Sequence, residues 1–80
     1  MKVRLLLFAQ YRELAGCDEM ELELSPGATA AEAVQLLRAD PRWRQLPDAP
    51  ALAVNQTYAP LSAALSDGDE IALIPPVAGG

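Results

Sequence analysis

The chain has no histidine and a single cysteine, Cys17. Without histidine it lacks the commonest general base and the commonest metal ligand. One thiol cannot close an internal disulfide. Its local neighbours Asp18 and Glu19 disfavour a thiolate, so Cys17 is read as structurally neutral rather than as a persulfide carrier. Cations are scarce too. Six Lys and Arg face eleven Asp and Glu, for a net charge of -5 and a sequence pI near 4.4. Binding to nucleic acid or to an anionic membrane needs many Lys and Arg on the phosphates, so neither is expected as a partner. A protein partner with a basic docking face suits the chain better. The opening "MKVRLLLFAQ" meets charge too soon for a signal peptide or a membrane span, which makes the cytoplasm the expected compartment.

What is present is a compact apolar inventory. The chain has 80 residues and is 51% hydrophobic. That is enough for one domain with a modest core and argues against disorder. Lys2 to Phe8 is almost wholly apolar and reads as a strand covered on both faces. "AQYRELAG" fits two helical turns with Gly16 as the C-cap. "DEMELEL" alternates, with Met20, Leu22 and Leu24 on one side and Glu19, Glu21 and Glu23 on the other, as in a strand near a sheet edge. After the turn "SPGAT", Thr29 and Glu32 form a capping-box pattern opening a helix over Ala30 to Ala39. Ala30, Ala33, Val34 and Leu37 make its apolar stripe, and Pro41 stops it. "PRWRQLPDAP" is read as an irregular connection with Trp43 as a partly buried plug. "ALAVNQ" is a short strand whose end turns through Asn55, "TYAPLSAAL" holds another short strand, and "SDGDE" is a turn. "EIALIPP" is a last, continuously apolar strand, expected in mid-sheet.

The first and last strands are the most hydrophobic. Setting them side by side, with the amphipathic helix across one face, gives an α+β two-layer fold of β-grasp (ubiquitin-like) type. The expected organisation is a mixed sheet, one main helix on one face and a short extra helix after the first strand. Residues 1–74 form the domain and residues 75–80 an extended tail ending Gly-Gly.

That tail, "IPPVAGG", carries the chemistry. Pro75 and Pro76 fix φ and favour an extended path out of the last strand. Gly79 and Gly80 have no Cβ. They thread a channel too narrow for side chains and leave the terminal carbonyl open to attack. A bare Gly-Gly end is by itself a frayed terminus; the prolines and the strand before them favour a reactive one. A carboxylate activated as an acyl-adenylate accepts a sulfur or nitrogen nucleophile. A persulfide leads to a thiocarboxylate, whereas a thiol followed by a lysine amine leads to protein conjugation.

The stretches "LLFAQYRELAG" (Leu6 to Gly16), "AVNQ" (Ala53 to Gln56) and "DGDEIALIPPVAGG" (Asp67 to Gly80) resemble the small subunit of molybdopterin synthase, the MoaD family of ubiquitin-like sulfur carriers. Their order and spacing span essentially the whole chain. The resemblance implies a subunit with no catalysis of its own. It implies a MoeB-like adenylating enzyme that uses ATP and Mg²⁺ on Gly80, so that nucleotide-binding and metal use belong to the partner. A sulfur donor protein then makes the thiocarboxylate. A MoaE-like large subunit takes in the tail, and sulfur passes to cyclic pyranopterin monophosphate to build the dithiolene of molybdopterin. The complex implied is a heterotetramer with a small subunit at each end of a large-subunit dimer. Gly80 would carry the sulfur and Gly79 would give it passage. Phe8, Tyr58 and Ile74 match an apolar docking patch beside Pro75 and Pro76. Tyr58 stands where an aliphatic residue is usual and Ile74 where an aromatic is common. No metal and no cofactor is expected on the chain itself. The alternatives are a carrier for another pathway (ThiS-like, thiazole synthesis), a ubiquitin-like modifier of lysines, and a β-grasp binding module with an inert tail.

Overall fold

A computed structural model describes residues 1–44, 46–47 and 49–75. Five strands form one mixed sheet: β1 (Lys2–Leu6), β2 (Glu19–Glu23), β3 (Leu52–Val54), β4 (Thr57–Ala59) and β5 (Glu70–Leu73). Their order across the sheet is β2-β1-β5-β3-β4. The first and last strands are central neighbours and run parallel, with Leu5 opposite Ile71. The other pairings are antiparallel. Helices α1 (Ala9–Ala15) and α2 (Ala30–Arg38) and a 3₁₀ turn (Pro41–Trp43) complete the fold. This is the α+β β-grasp arrangement expected from the sequence. Among the described residues no helix is long and apolar enough to cross a membrane.

Strand periodicity sends alternate side chains to opposite faces. Val3, Leu5, Leu22, Leu52, Ile71 and Leu73 point to the core side and are nearly inaccessible. They meet Ala30, Ala33, Val34 and Leu37, the predicted stripe of α2. One expectation fails here. β1 and β5 are not covered on both faces, because their burial alternates rather than running continuous. The helices cover one face only. β1 also ends at Leu6, and Phe8 becomes the N-cap residue of α1.

The start of α2 corrects another expectation. Thr29 is the N-cap but makes no side-chain cap bond. It sits instead in an antiparallel bridge with Ala64. The amides of Ala30 and Ala31 donate to the carbonyls of Ala63 and Leu61 at 2.9 and 2.8 Å. Backbone from the loop before β5 thus satisfies two of the first turn's orphan donors, and the Glu32 amide, which a capping threonine side chain would take, donates to the Thr29 carbonyl at 3.0 Å instead. Gly16 caps α1 as expected, at φ 78° with its amide on the Arg12 carbonyl.

Trp43 is completely buried, not partly. The segment around it is ordered as a 3₁₀ turn, opened by Asp40, whose carboxylate accepts from the Arg42 amide at 2.9 Å. Hydrogen bonding from the Arg42 guanidinium holds the Asp40 carboxyl below the usual carboxylate range. The indole lies against Tyr11 of α1, ring centres 6.1 Å apart. Burial in turn pushes the Tyr11 hydroxyl up from its ordinary value. The Trp43 Nε1 has no acceptor among the described residues, so packing holds the ring. Truncation at this site removes a large core volume, and Trp43→Ala is expected to cost about 3–5 kcal/mol of unfolding free energy in chemical denaturation.

The β3–β4 hairpin turns on Asn55 and Gln56, both left-handed, at φ 51° and 71°. Two positive φ values are what a two-residue type I′ turn demands, and glycine meets the second most easily. Gln56→Gly relieves about 1–2 kcal/mol of left-handed strain against a smaller backbone-entropy loss. It is expected to raise the melting temperature; a lowered one would mean that the Gln56 side chain itself holds the turn.

Candidate functional site

The face of the sheet away from the helices is where the predicted docking residues meet. The strand register lays one row straight across it. Leu6 stands opposite Glu19 on one side and Ala72 on the other, Ala72 opposite Ala53, and Ala53 opposite Tyr58. None of Leu6, Ala53 or Ala72 belongs to the helix-side core. Tyr58 is 76% exposed. One level further along, Phe8 is 47% exposed and Ile74 half-buried, with the Ile74 amide donating to the Ala51 carbonyl at 2.9 Å. Phe8 and Tyr58 are therefore not core residues. They flank a low floor made by Ala72 and Ala53, with Leu6 beside it and Ile74 at its end.

The opposite half of the same face is charged. Arg4 stands between Glu21 and Glu70 in the register and pairs with Glu19 and Glu70. Lys2 lies 3.8 Å from Glu21. These pairs are exposed on at least one side, and such pairs contribute little to stability. They give the face polarity, with ions at the β5 start and hydrocarbon at the β5 end.

The turn before β5 fixes where that strand begins. Asp67 accepts from the Lys2 amide at 2.8 Å, and Asp69 accepts from the Ser66 amide and from Asn55 Nδ2. The Asn55 side-chain oxygen accepts from the Glu70 amide at 3.0 Å. "SDGDE" and "VNQ" are thus one bonded unit. Asp67, Asp69 and Asn55 serve the fold, in agreement with "SDGDE" read as a turn.

Pro75 follows Ile74 at the same end of the sheet. It lines a cleft with Tyr11, Pro47, Ala49, Pro50, Ala51 and Ile74. The predicted residues Pro76, Gly79 and Gly80 lie outside the described residues. Cys17 is exposed. Among the described residues no cluster of Cys, Asp and Glu is arranged to hold a metal ion. Sequence reasoning named Phe8, Tyr58 and Ile74 but missed Leu6, Ala53 and Ala72. The signal was present at single positions: Leu6 and Ala72 are apolar although they face away from the helices, beside outward Lys2, Arg4 and Glu70.

The sequence profile of the ThiS family matches residues 5–80. The chain belongs to that family. The molybdopterin synthase sulfur carrier subunit of Mycobacterium tuberculosis is 45% identical over 84 residues, covering 100% of this chain and 99% of that protein. Among solved structures, the small archaeal modifier protein 1 of Haloferax volcanii superposes with TM-score 0.84 at 30% identity, covering 95% of this chain and 98% of that one. Subunit 1 in the complex of subunits 1 and 2 of the molybdopterin-converting factor of Helicobacter pylori has TM-score 0.73 at 26% identity, with full coverage of both chains.

If the free face is not part of the core, truncating it should leave stability almost unchanged. Phe8→Ala and Tyr58→Ala are expected to shift the unfolding free energy by no more than about 0.5 kcal/mol. Leu73→Ala, on the opposite face of the same sheet, is expected to cost about 2–5 kcal/mol. Equilibrium denaturation of the three variants checks the contrast.

Proposed function

We propose that this chain is the sulfur-carrier subunit of a molybdopterin synthase. The observation that carries the reading is the apolar half of the free sheet face, which runs through Ile74 into the root of the Gly-Gly tail. A partner seated on that face is in position to take the tail into its own active site. Tethering the reacting carbonyl to a docked body converts an encounter between two proteins into a local event. The Helicobacter pylori neighbour, solved together with its second subunit, is a precedent for such pairing.

In this reading an adenylating enzyme of the MoeB type binds ATP and Mg²⁺. The Gly80 carboxylate attacks the α-phosphorus and pyrophosphate leaves. A persulfide on a sulfur donor protein displaces AMP, and reductive cleavage of the S–S bond by a thiol leaves the thiocarboxylate. The large subunit, MoaE-like, then receives the tail, and sulfur passes to cyclic pyranopterin monophosphate. The work of this chain is docking and delivery. Phe8, Tyr58 and Ile74 with Leu6, Ala53 and Ala72 form the seat. Pro75 and Pro76 direct the tail, Gly79 keeps it narrow and Gly80 carries the sulfur.

The relationship to an archaeal modifier protein favours a second reading, in which the same activated end is passed to lysines of other proteins. Intact-mass measurement separates the two. After co-expression with an adenylating enzyme and a sulfur donor, the carrier reading predicts replacement of one oxygen by sulfur, located on Gly80. The modifier reading predicts isopeptide adducts of high mass. A carrier for thiazole synthesis gives the same mass change and is separated by reconstitution with the large subunit and the pterin precursor. Deleting Gly80 is expected to abolish sulfur transfer with the fold intact, and Cys17→Ala is expected to stay active. Full activity without Gly80 refutes the assignment of the reactive end.

A further inference from the structure

An activated acyl group attached to its own protein meets that protein's amines before any other. Here the amines are few and badly placed for such a reaction. The chain has one lysine, Lys2; its five remaining cations are arginines. Guanidinium groups stay protonated and do not act as nucleophiles near neutral pH. Resting on the carrier reading above, we propose that the chain keeps its amines out of reach of its own activated Gly80, so that acylation falls only on nucleophiles brought by other proteins.

The sheet register gives the geometry. Because β1 and β5 are parallel, with Arg4 opposite Glu70, Lys2 lies two residues before that level and Pro75 five residues after it along β5, seven strand positions in all. That separation is roughly 23 Å at about 3.3 Å per residue. The five residues after Pro75 span at most about 17 Å when fully extended, so even with the Lys2 side chain stretched towards them the gap closes only if the whole tail lies straight back along the sheet. β5 also runs away from Lys2, so the tail would first have to reverse, and a reverse turn takes up about four residues. The Lys2 ammonium lies beside Glu21 on the neighbouring strand, 3.8 Å away. The amine of Met1 lies one residue further away; it donates to the Leu24 carbonyl at 2.7 Å and pairs with Glu23.

The one thiol is placed differently. Leu7 donates to the Asp18 carbonyl at 2.9 Å, which sets Cys17 at the level of Phe8, at the tail end of the sheet. Cys17 does not break the rule, because a thioester formed there is still an activated acyl group that a sulfur nucleophile can take over. An amide is not. The reaction avoided is attack of an amine nitrogen on the Gly80 carbonyl carbon, with AMP leaving and the proton passing to water. The product is a cyclised chain lighter by one water, permanently lost to delivery.

The test puts an amine where the fold has none. Arg12 is exposed and follows Tyr11, which shares a cleft with Pro75. Arg12→Lys keeps the charge and supplies a nucleophile; Gln10→Lys does so on the other side of Tyr11. Each full-length chain is incubated with ATP, Mg²⁺ and a MoeB-type adenylating enzyme, without a sulfur donor. Pyrophosphate exchange reports adenylation, and intact mass with peptide mapping reports cyclisation. The expected result is equal exchange in all three proteins, a species lighter by one water with a Lys–Gly80 linkage in the variants, and no such species in the unaltered chain. A cyclised unaltered chain overturns the proposal. So do variants that exchange pyrophosphate yet never cyclise, because protection then comes from the activating enzyme and not from placement. Absence of exchange in the unaltered chain refutes the carrier reading itself, and with it this proposal.

Discussion

The parallel pairing of β1 with β5 is the constraint on which the rest of the molecule depends. It brings the two most apolar segments, from the two ends of the chain, into mid-sheet. Parallel neighbours need a crossover connection, and here that crossover supplies α2 and the core. The pairing also decides where the tail starts. A strand that runs beside β1 in the same direction delivers Ile74 and Pro75 to the end of the sheet where Phe8 turns into α1. Residues from residue 6 to residue 74 therefore converge on one apolar spot, the proposed docking seat, although they are far apart in sequence.

The same register separates two kinds of chemistry along a single face. At the start of β5 the face is ionic, and the turn beneath it is knitted by Asp67, Asp69 and Asn55. At the end of β5 it is hydrocarbon, with a floor of alanines between taller side chains. Contiguous exposed apolar patches commonly mark interaction sites. Here the patch lies beside the root of a tail whose proposed use demands a partner. The acidic surplus and the scarcity of lysine fit one picture, in which the reactive end is meant for other molecules and the body is inert towards it.

Much of this was legible in the sequence, and the exceptions have identifiable causes. The amphipathic stripe of α2, the Gly16 cap, the alternation of β2 and the central place of β1 and β5 follow from local periodicity and turn chemistry. Thr29 departs from the capping-box pattern because that pattern is local, whereas the bridge to Ala64 that holds Thr29, and the carbonyls of Leu61 and Ala63 that take the next two amides, come from the other half of the chain. Trp43 was underestimated for a similar reason: its cover comes from Tyr11, on a helix more than two dozen residues earlier. The most instructive error concerns β1 and β5. Reading them as strands covered on both faces overlooked that Lys2, Arg4 and Glu70 alternate with the buried residues and leave only Leu6 and Ala72 apolar on the outward side. Among the described residues, the apolar side chains left most exposed beside this face are Phe8 and Tyr58. Leu6, Ala53 and Ala72 escaped notice because the rows across a sheet depend on register, which no single strand reveals.

The most direct test of the account is to titrate the isotopically labelled chain with a molybdopterin synthase large subunit and follow its backbone amides by NMR. The account predicts that the strongest perturbations fall on Leu6, Phe8, Ala53, Tyr58, Ala72 and Ile74, with the outward surface of α2 around Gln35 and Leu36 unchanged. Perturbations centred on α2, with the sheet face silent, would contradict it.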